Sequence, residues 1–166
     1  MKDHFRNVTV YPGRKDANGV VMRLIDGLGY RFFWATEGLT PEDLQFSPGG
    51  GCMTVGDLAG HVWGLVNWVH THFLGESGEP PAADLEQGRD QLFRMLYAIR
   101  AYVEAIDEQA LFELRINELP FWHTINGPLS DALSHTGQIA AFRRINGNPV
   151  PEHHVFLAHE RQASTE

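Results

Sequence analysis

Asp131 and His135 stand four residues apart. On a helix, four steps of 100° bring the second residue to within about 40° of the first and about 6 Å along the axis, so a carboxylate and an imidazole placed this way can reach one cation. Phe142 shares the stripe of Asp131, eleven steps closing to about 20° past three turns, which points this face inward. A polar pair on an inward face requires compensation, and a metal ion would supply it. His61 is the third candidate ligand. It flanks the apolar stripe of another helical segment, beside Gly60 and Gly64, whose missing side chains leave room for a neighbouring helix or a ligand. His72 lies on the same side of that segment, but eleven residues at 1.5 Å each set it about 16 Å away. His70 and His72 are therefore read as surface or helix-end residues.

An isolated Asp/His pair at this spacing is more often a hydrogen bond along a helix surface than a metal site. The pattern by itself does not decide between them. Of the remaining candidates, Gln138 suits a position behind a ligand or a metal-bound water, or a buried amide satisfying the backbone. Arg143 and Arg144, at a helix C-terminus, are read as complementing its dipole rather than attracting an anionic substrate. His123 is a reserve ligand in a loop, and His153, His154 and His159 resemble a metal tract only superficially. Trp34, Trp63, Trp68 and Trp122 are expected in core or interface packing. Cys52, the single cysteine, is expected to be a passive packing residue, because no Cys-His spacing supports a nucleophile.

Four helical segments must position these groups. The first carries Val21, Leu24, Ile25, Leu28, Phe32 and Ala35 on one stripe and stops near Gly38. A turn, Thr40 to Asp43, and a glycine-rich loop follow. The second segment opens at Thr54, with Asp57 placed to complete a capping box, and continues through Val55, Leu58, Val62, Val66, Val69 and Phe73. Gly75 to Asp84, with Pro80-Pro81, reads as a surface connection. The third segment carries Leu92, Met95, Leu96, Ile99, Val103 and Ile106. Phe112 to Asn117 alternates apolar and polar residues, which predicts a short extended stretch. The fourth segment starts near Gly127-Pro128 and ends at Asn146-Gly147. Amphipathic helices without a competing strand set predict an all-α four-helix bundle in one domain over residues 1–166, its core about 18–149 and its tail 150–166, of which Glu152 to Leu157 is apolar enough to pack on the bundle and Arg161 to Glu166 is expected to fray.

The string Leu133-Ser-His135-Thr-Gly-Gln138-Ile139-Ala-Ala-Phe-Arg143-Arg144-Ile-Asn-Gly147 resembles the final helix of the DinB/YfiT-like superfamily. Thr54-Val-Gly-Asp-Leu-Ala-Gly-His61-Val-Trp-Gly is similar to that family's first ligand segment. The resemblance implies a four-helix bundle, often dimeric, holding zinc or nickel through three histidines near one end. His61 matches the first of them and His135 the last. Asp131 stands where the family usually has histidine, and a His-Asp-His set also admits manganese or iron(II). The implied activity is that of a metal-dependent enzyme: a transferase or isomerase acting with a low-molecular-weight thiol, or a hydrolase, on a small-molecule substrate. The alternative is a stress-associated metal-binding or structural homodimer, with Asp131 the mark of lost catalysis. A di-iron carboxylate bundle is disfavoured, because its paired Glu-x-x-His motifs are absent.

Composition narrows the partners. A formal charge of -8, from 13 basic and 21 acidic residues, argues against nucleic acid. No apolar run approaches the roughly 20 residues that cross a bilayer, and MKDHFRNVTV lacks the apolar stretch of a signal peptide, so neither membrane insertion nor secretion is expected. One cysteine suits a reducing, cytoplasmic setting.

Overall fold

A computed structural model describes residues 2–8, 11–76 and 78–151. Among the described residues the chain is mostly helical, with one two-stranded hairpin. Its long helices are α2 (Ala17–Thr36), α4 (Val55–Leu74), α5 (Leu85–Ala105) and α8 (Ser130–Ile145). Shorter elements are α1 (Lys2–Asn7), α3 (Pro41–Gln45), α6 (Glu108–Glu113) and α7 (Trp122–Thr124). The hairpin pairs β1 (Arg115–Ile116) with β2 (Leu119–Pro120), antiparallel. No helix among the described residues is long and apolar enough to cross a membrane.

Packing follows the apolar stripes. Helix α2 touches α5 and α8, and α4 touches the same two, so the long helices run around the core in the order α2, α5, α4, α8. Val21, Ile25, Leu28 and Phe32 of α2, Val62, Val66 and Val69 of α4, and Leu92, Leu96 and Ile99 of α5 are buried there, as their spacing predicts. On α8 the buried stripe is Ala132, Thr136, Ile139 and Arg143, one position on from the stripe of Asp131, His135 and Phe142. The inward direction expected for Asp131 is therefore corrected: its side chain is 48% exposed. The core takes the small and β-branched residues at 132, 136 and 139 instead and leaves the chemical pair on the flank.

The capping box at the start of α4 forms as read, Asp57 N–H donating to Thr54 Oγ1 at 3.1 Å and Thr54 N–H to Asp57 Oδ2 at 3.3 Å. The same motif recurs at Thr40 and Asp43, and there the expected turn is the helix α3. Gly75, in the left-handed region with φ +67°, ends α4. The extended stretch expected from Phe112 starts later. Asp107 caps α6 through Ala110 N–H (2.7 Å), Leu111 is buried, and the helix holds until Glu113. Asn117 and Glu118, both at positive φ, then turn the hairpin.

Two polar clusters lock the helix ends. Arg143 is 1% exposed and donates to the carbonyls of Trp34, Ala35 and Glu37 at the C-terminal end of α2, and to Asn148. It complements a neighbouring helix's dipole rather than that of its own. Asn146 and Asn148 donate to Asp43 at 2.9 and 2.7 Å, tying the end of α8 to α3. Burial pushes the Asp43 carboxyl upward, but hydrogen bonds from the Thr40 backbone, from Asn148 and Asn146, and from the Thr40 hydroxyl outweigh it and hold the group at about 2. Helix α1 inserts Phe5, fully buried, against α2 and α5. A Cβ on Gly29 would lie 2.2 Å from the Phe5 ring, so only glycine lets α1 dock. His4 and Arg100 both reach Asp26 Oδ1, at 2.7 and 3.0 Å, and Asp26 is wholly buried.

Candidate metal centre

The N-terminal approach to α8 sets the geometry of Asp131. Residues Ile125–Leu129 form a π-helical turn with a break at Gly127 (φ -95°, ψ -106°) and Pro128 inside it. Pro128 lacks the N–H that a regular helix would need there. Regular α-helix begins at Ser130, two residues after the expected start, and the Ser130 hydroxyl donates back to Ile125 C=O at 2.6 Å. Asp131 thus sits in the first turn of α8, where the positive end of the helix dipole favours a carboxylate. Helix α4 packs against α8 along its length and brings His61 across from it.

The three residues singled out by spacing come together. His61 Nε2 lies 3.4 Å from Asp131 Oδ2, His135 Nε2 lies 3.3 Å from Asp131 Oδ1, and the two imidazole rings cross edge to face at 4.7 Å. One donor atom from each residue falls within 4.8 Å of the others. These carboxylate contacts are long for hydrogen bonds, which for N–H to O cluster near 2.9 Å. Bonds of about 2.1 Å at a tetrahedral centre place neighbouring donors about 3.4 Å apart, the spacing of each imidazole from the carboxylate oxygen it faces; the two imidazoles face different oxygens, Oδ2 and Oδ1. As ion pairs these contacts would contribute little, because His61 and Asp131 are 41% and 48% exposed. The donor chemistry, two imidazoles and a carboxylate, suits a divalent ion.

Gln138 stands behind His135. Its Oε1 accepts a hydrogen bond from His135 Nδ1 at 2.8 Å. With the proton fixed on Nδ1, Nε2 turns its lone pair toward Asp131, the tautomer that a ligand requires. An open groove of about 680 Å³ passes the site between α4 and the π turn; Gly64, Leu65, Trp68, Pro128, Ser130 and Ser134 line it with His61 and Asp131. A Cβ on Gly64 would meet nothing within 4 Å, so the room beside His61 belongs to this groove and not to a neighbouring helix.

Other candidates fall elsewhere. His123 is exposed on α7 and belongs to no cluster of potential ligands among the described residues. His72 Nδ1 donates to the Trp68 carbonyl (2.7 Å), and its ring lies tilted against the Trp68 ring. His70, expected at the surface, is 8% exposed, with Nδ1 buried and unbonded among the described residues. It falls on the α4 side shared with Val66 and Val69, a position that distance from His61 does not reveal. Cys52 is exposed and does not pack in the core. Trp34, Trp63 and Trp68 pack against the core, whereas Trp122 is 59% exposed. The tail and its histidines 153, 154 and 159 lie outside the described residues. The residues of the π turn that line the groove had no sequence signal beyond Gly127-Pro128. No family model, curated protein or solved structure matches the chain.

Proposed function

We propose that the chain is a four-helix bundle of the DinB/YfiT-like kind that holds one divalent metal ion through His61, Asp131 and His135 and works as a metal-dependent enzyme on a small molecule. The cyclic order of α2, α5, α4 and α8 supports the bundle. The observation that carries the functional reading is the convergence of three donor atoms from two helices within 4.8 Å at the wall of an open groove. Asp131 offsets part of the ion's charge, Gln138 holds His135 in the ligating tautomer, and the groove admits a substrate to the exposed side of the site. A divalent ion in this set supplies Lewis acidity, enough to bring a thiol or water to its anionic form near neutral pH. Zinc or nickel is the ion we favour, with manganese and iron(II) admitted by the carboxylate. The thiol substrate and a dimeric state rest on the resemblance alone.

Cobalt(II) tests the reading directly. A protein loaded with cobalt should show visible absorption of a bound ion and, on adding 2-mercaptoethanol, a near-ultraviolet thiolate-to-metal band. Both should vanish in His61→Ala and His135→Ala. Cobalt spectra unchanged by either substitution would refute the site, and a bound ion with no response to the thiol would refute thiol chemistry. The carboxylate in the middle position favours one other reading, a metal-binding protein without turnover, which keeps the cobalt absorption and lacks any activity.

A further inference from the structure

The groove at the metal centre has a shape that selects what can lie in it. Its floor is one stripe of α4: His61, Gly64, Leu65 and Trp68 stand at i, i+3, i+4 and i+7, and all four line it. The seven steps from His61 to Trp68 span about 10 Å along the axis. Gly64 lies between them. A Cβ there would meet nothing within 4 Å, so neither the Trp68 ring nor the π turn opposite covers this position. Glycine in mid-helix is destabilising relative to alanine, and here no close neighbour or positive φ requires it. Leu65 and Trp68 are half-buried, packed against the core and lining the groove. Pro128 of the π turn lines the other wall, and the lining is mainly apolar.

Among the described residues, no lysine or arginine lines this groove. Ser130 and Ser134 line it, but their hydroxyl protons are spent on the chain itself, Ser130 donating to the Ile125 carbonyl at 2.6 Å and Ser134 to the Ser130 carbonyl at 3.0 Å. Asn126, exposed, adds one neutral amide. An anionic group lying beyond the ion would meet no countercharge, and taking it out of water there would be costly. The one carboxylate in the lining, Asp131, faces the two imidazoles at 3.4 and 3.3 Å, and its charge is taken up by the ion they share. A cationic group would therefore find no free partner either. What the groove offers beyond the ion is apolar surface and an uncovered gap over Gly64.

We propose that the substrate carries an uncharged apolar group that lies over Gly64 against Leu65 and Trp68 while its reacting head group meets the ion; this rests on the metal reading above. Hydroxamates, which chelate such ions, test it with four tails on one head: acetohydroxamate, 3-phenylpropionohydroxamate, β-alanine hydroxamate and succinate monohydroxamate present a methyl, a phenyl, an ammonium and a carboxylate. Each is titrated into the cobalt-loaded protein and followed by the cobalt absorption. The phenyl compound should bind roughly tenfold more tightly than acetohydroxamate through burial of its ring, and the two charged compounds no more tightly than acetohydroxamate. Gly64→Leu fills the gap and should cancel the phenyl advantage, while its cobalt absorption before titration shows that the ion is still held. Equal or absent binding of the methyl and phenyl compounds, tightest binding of either charged one, or a phenyl advantage that survives in Gly64→Leu would overturn the proposal and leave the metal site standing. A wild type with no cobalt absorption would overturn the metal reading and this proposal with it. The order of the four probes in wild type stands as a test on its own if the variant fails to fold.

Discussion

Replacing Asp43 with asparagine keeps the side chain's shape and removes its charge, and the cost of that change should depend on pH in a defined direction. Asp43 is 3% exposed and accepts from Thr40, Asn146 and Asn148. Its carboxyl is held at about 2, against an ordinary 3.8. A group whose folded-state pKa is depressed stabilises the fold above the unfolded value and loses that contribution as pH falls through the folded one. At 1.36 kcal/mol per pKa unit, the contribution is about 2 kcal/mol above pH 5, fading between about pH 4 and pH 2. Urea unfolding of wild type and Asp43→Asn, followed by circular dichroism from pH 7 to pH 2.5, should show a deficit of about 2 kcal/mol at neutral pH that shrinks as the acid protonates Asp43 in the wild type. A deficit of the same size at every pH would show that the charge is not what Asn146 and Asn148 recognise, and would refute the reasoning.

Gly29→Ala should cost about 1–3 kcal/mol, because the new methyl would lie 2.2 Å from the Phe5 ring and force α1 off the core; hydrogen exchange should show α1 amides losing protection before the long helices do. Arg143→Met removes the donor that serves the Trp34, Ala35 and Glu37 carbonyls and should lower stability by about 3 kcal/mol in chemical denaturation, with Arg143→Lys only partly restoring it. Gln138→Ala should weaken metal affinity by roughly tenfold in a chelator competition while leaving the thermal midpoint of the metal-free protein unchanged, since Gln138 is exposed and bonds only His135 among the described residues.

The long helices are legible in the sequence because burial writes a 3.6-residue stripe, and the Thr54/Asp57 capping box carries its own geometry. Thr40 to Asp43 reads as a turn in the sequence because a single short helix leaves no stripe to recognise. Helix α1 left little signal for the same reason: it is six residues long and contributes one buried side chain, Phe5, and the vacancy at Gly29 that receives it is visible only once the two are packed. The ligand trio was legible as a spacing on α8 and a position on α4, and the coordinates bring all three together. The direction of the face was not. Asp131 and His135 lie only one residue from the stripe of Ala132 and Thr136, and a step of 100° separates wall from core. Arg143 differs for another reason: the carbonyls it serves lie at the C-terminal end of α2, more than a hundred residues away in sequence, and no local pattern encodes them.

Metal content of the purified protein, measured by elemental analysis without added metal, bears most directly on whether the three side chains form a site. Close to one equivalent of a divalent transition metal per chain is expected in the wild type, with near-complete loss in both His61→Ala and His135→Ala and unchanged helical content. A wild type that is metal-free and takes up no zinc, nickel, manganese or iron(II) on titration, or variants that retain a full equivalent, would contradict the account.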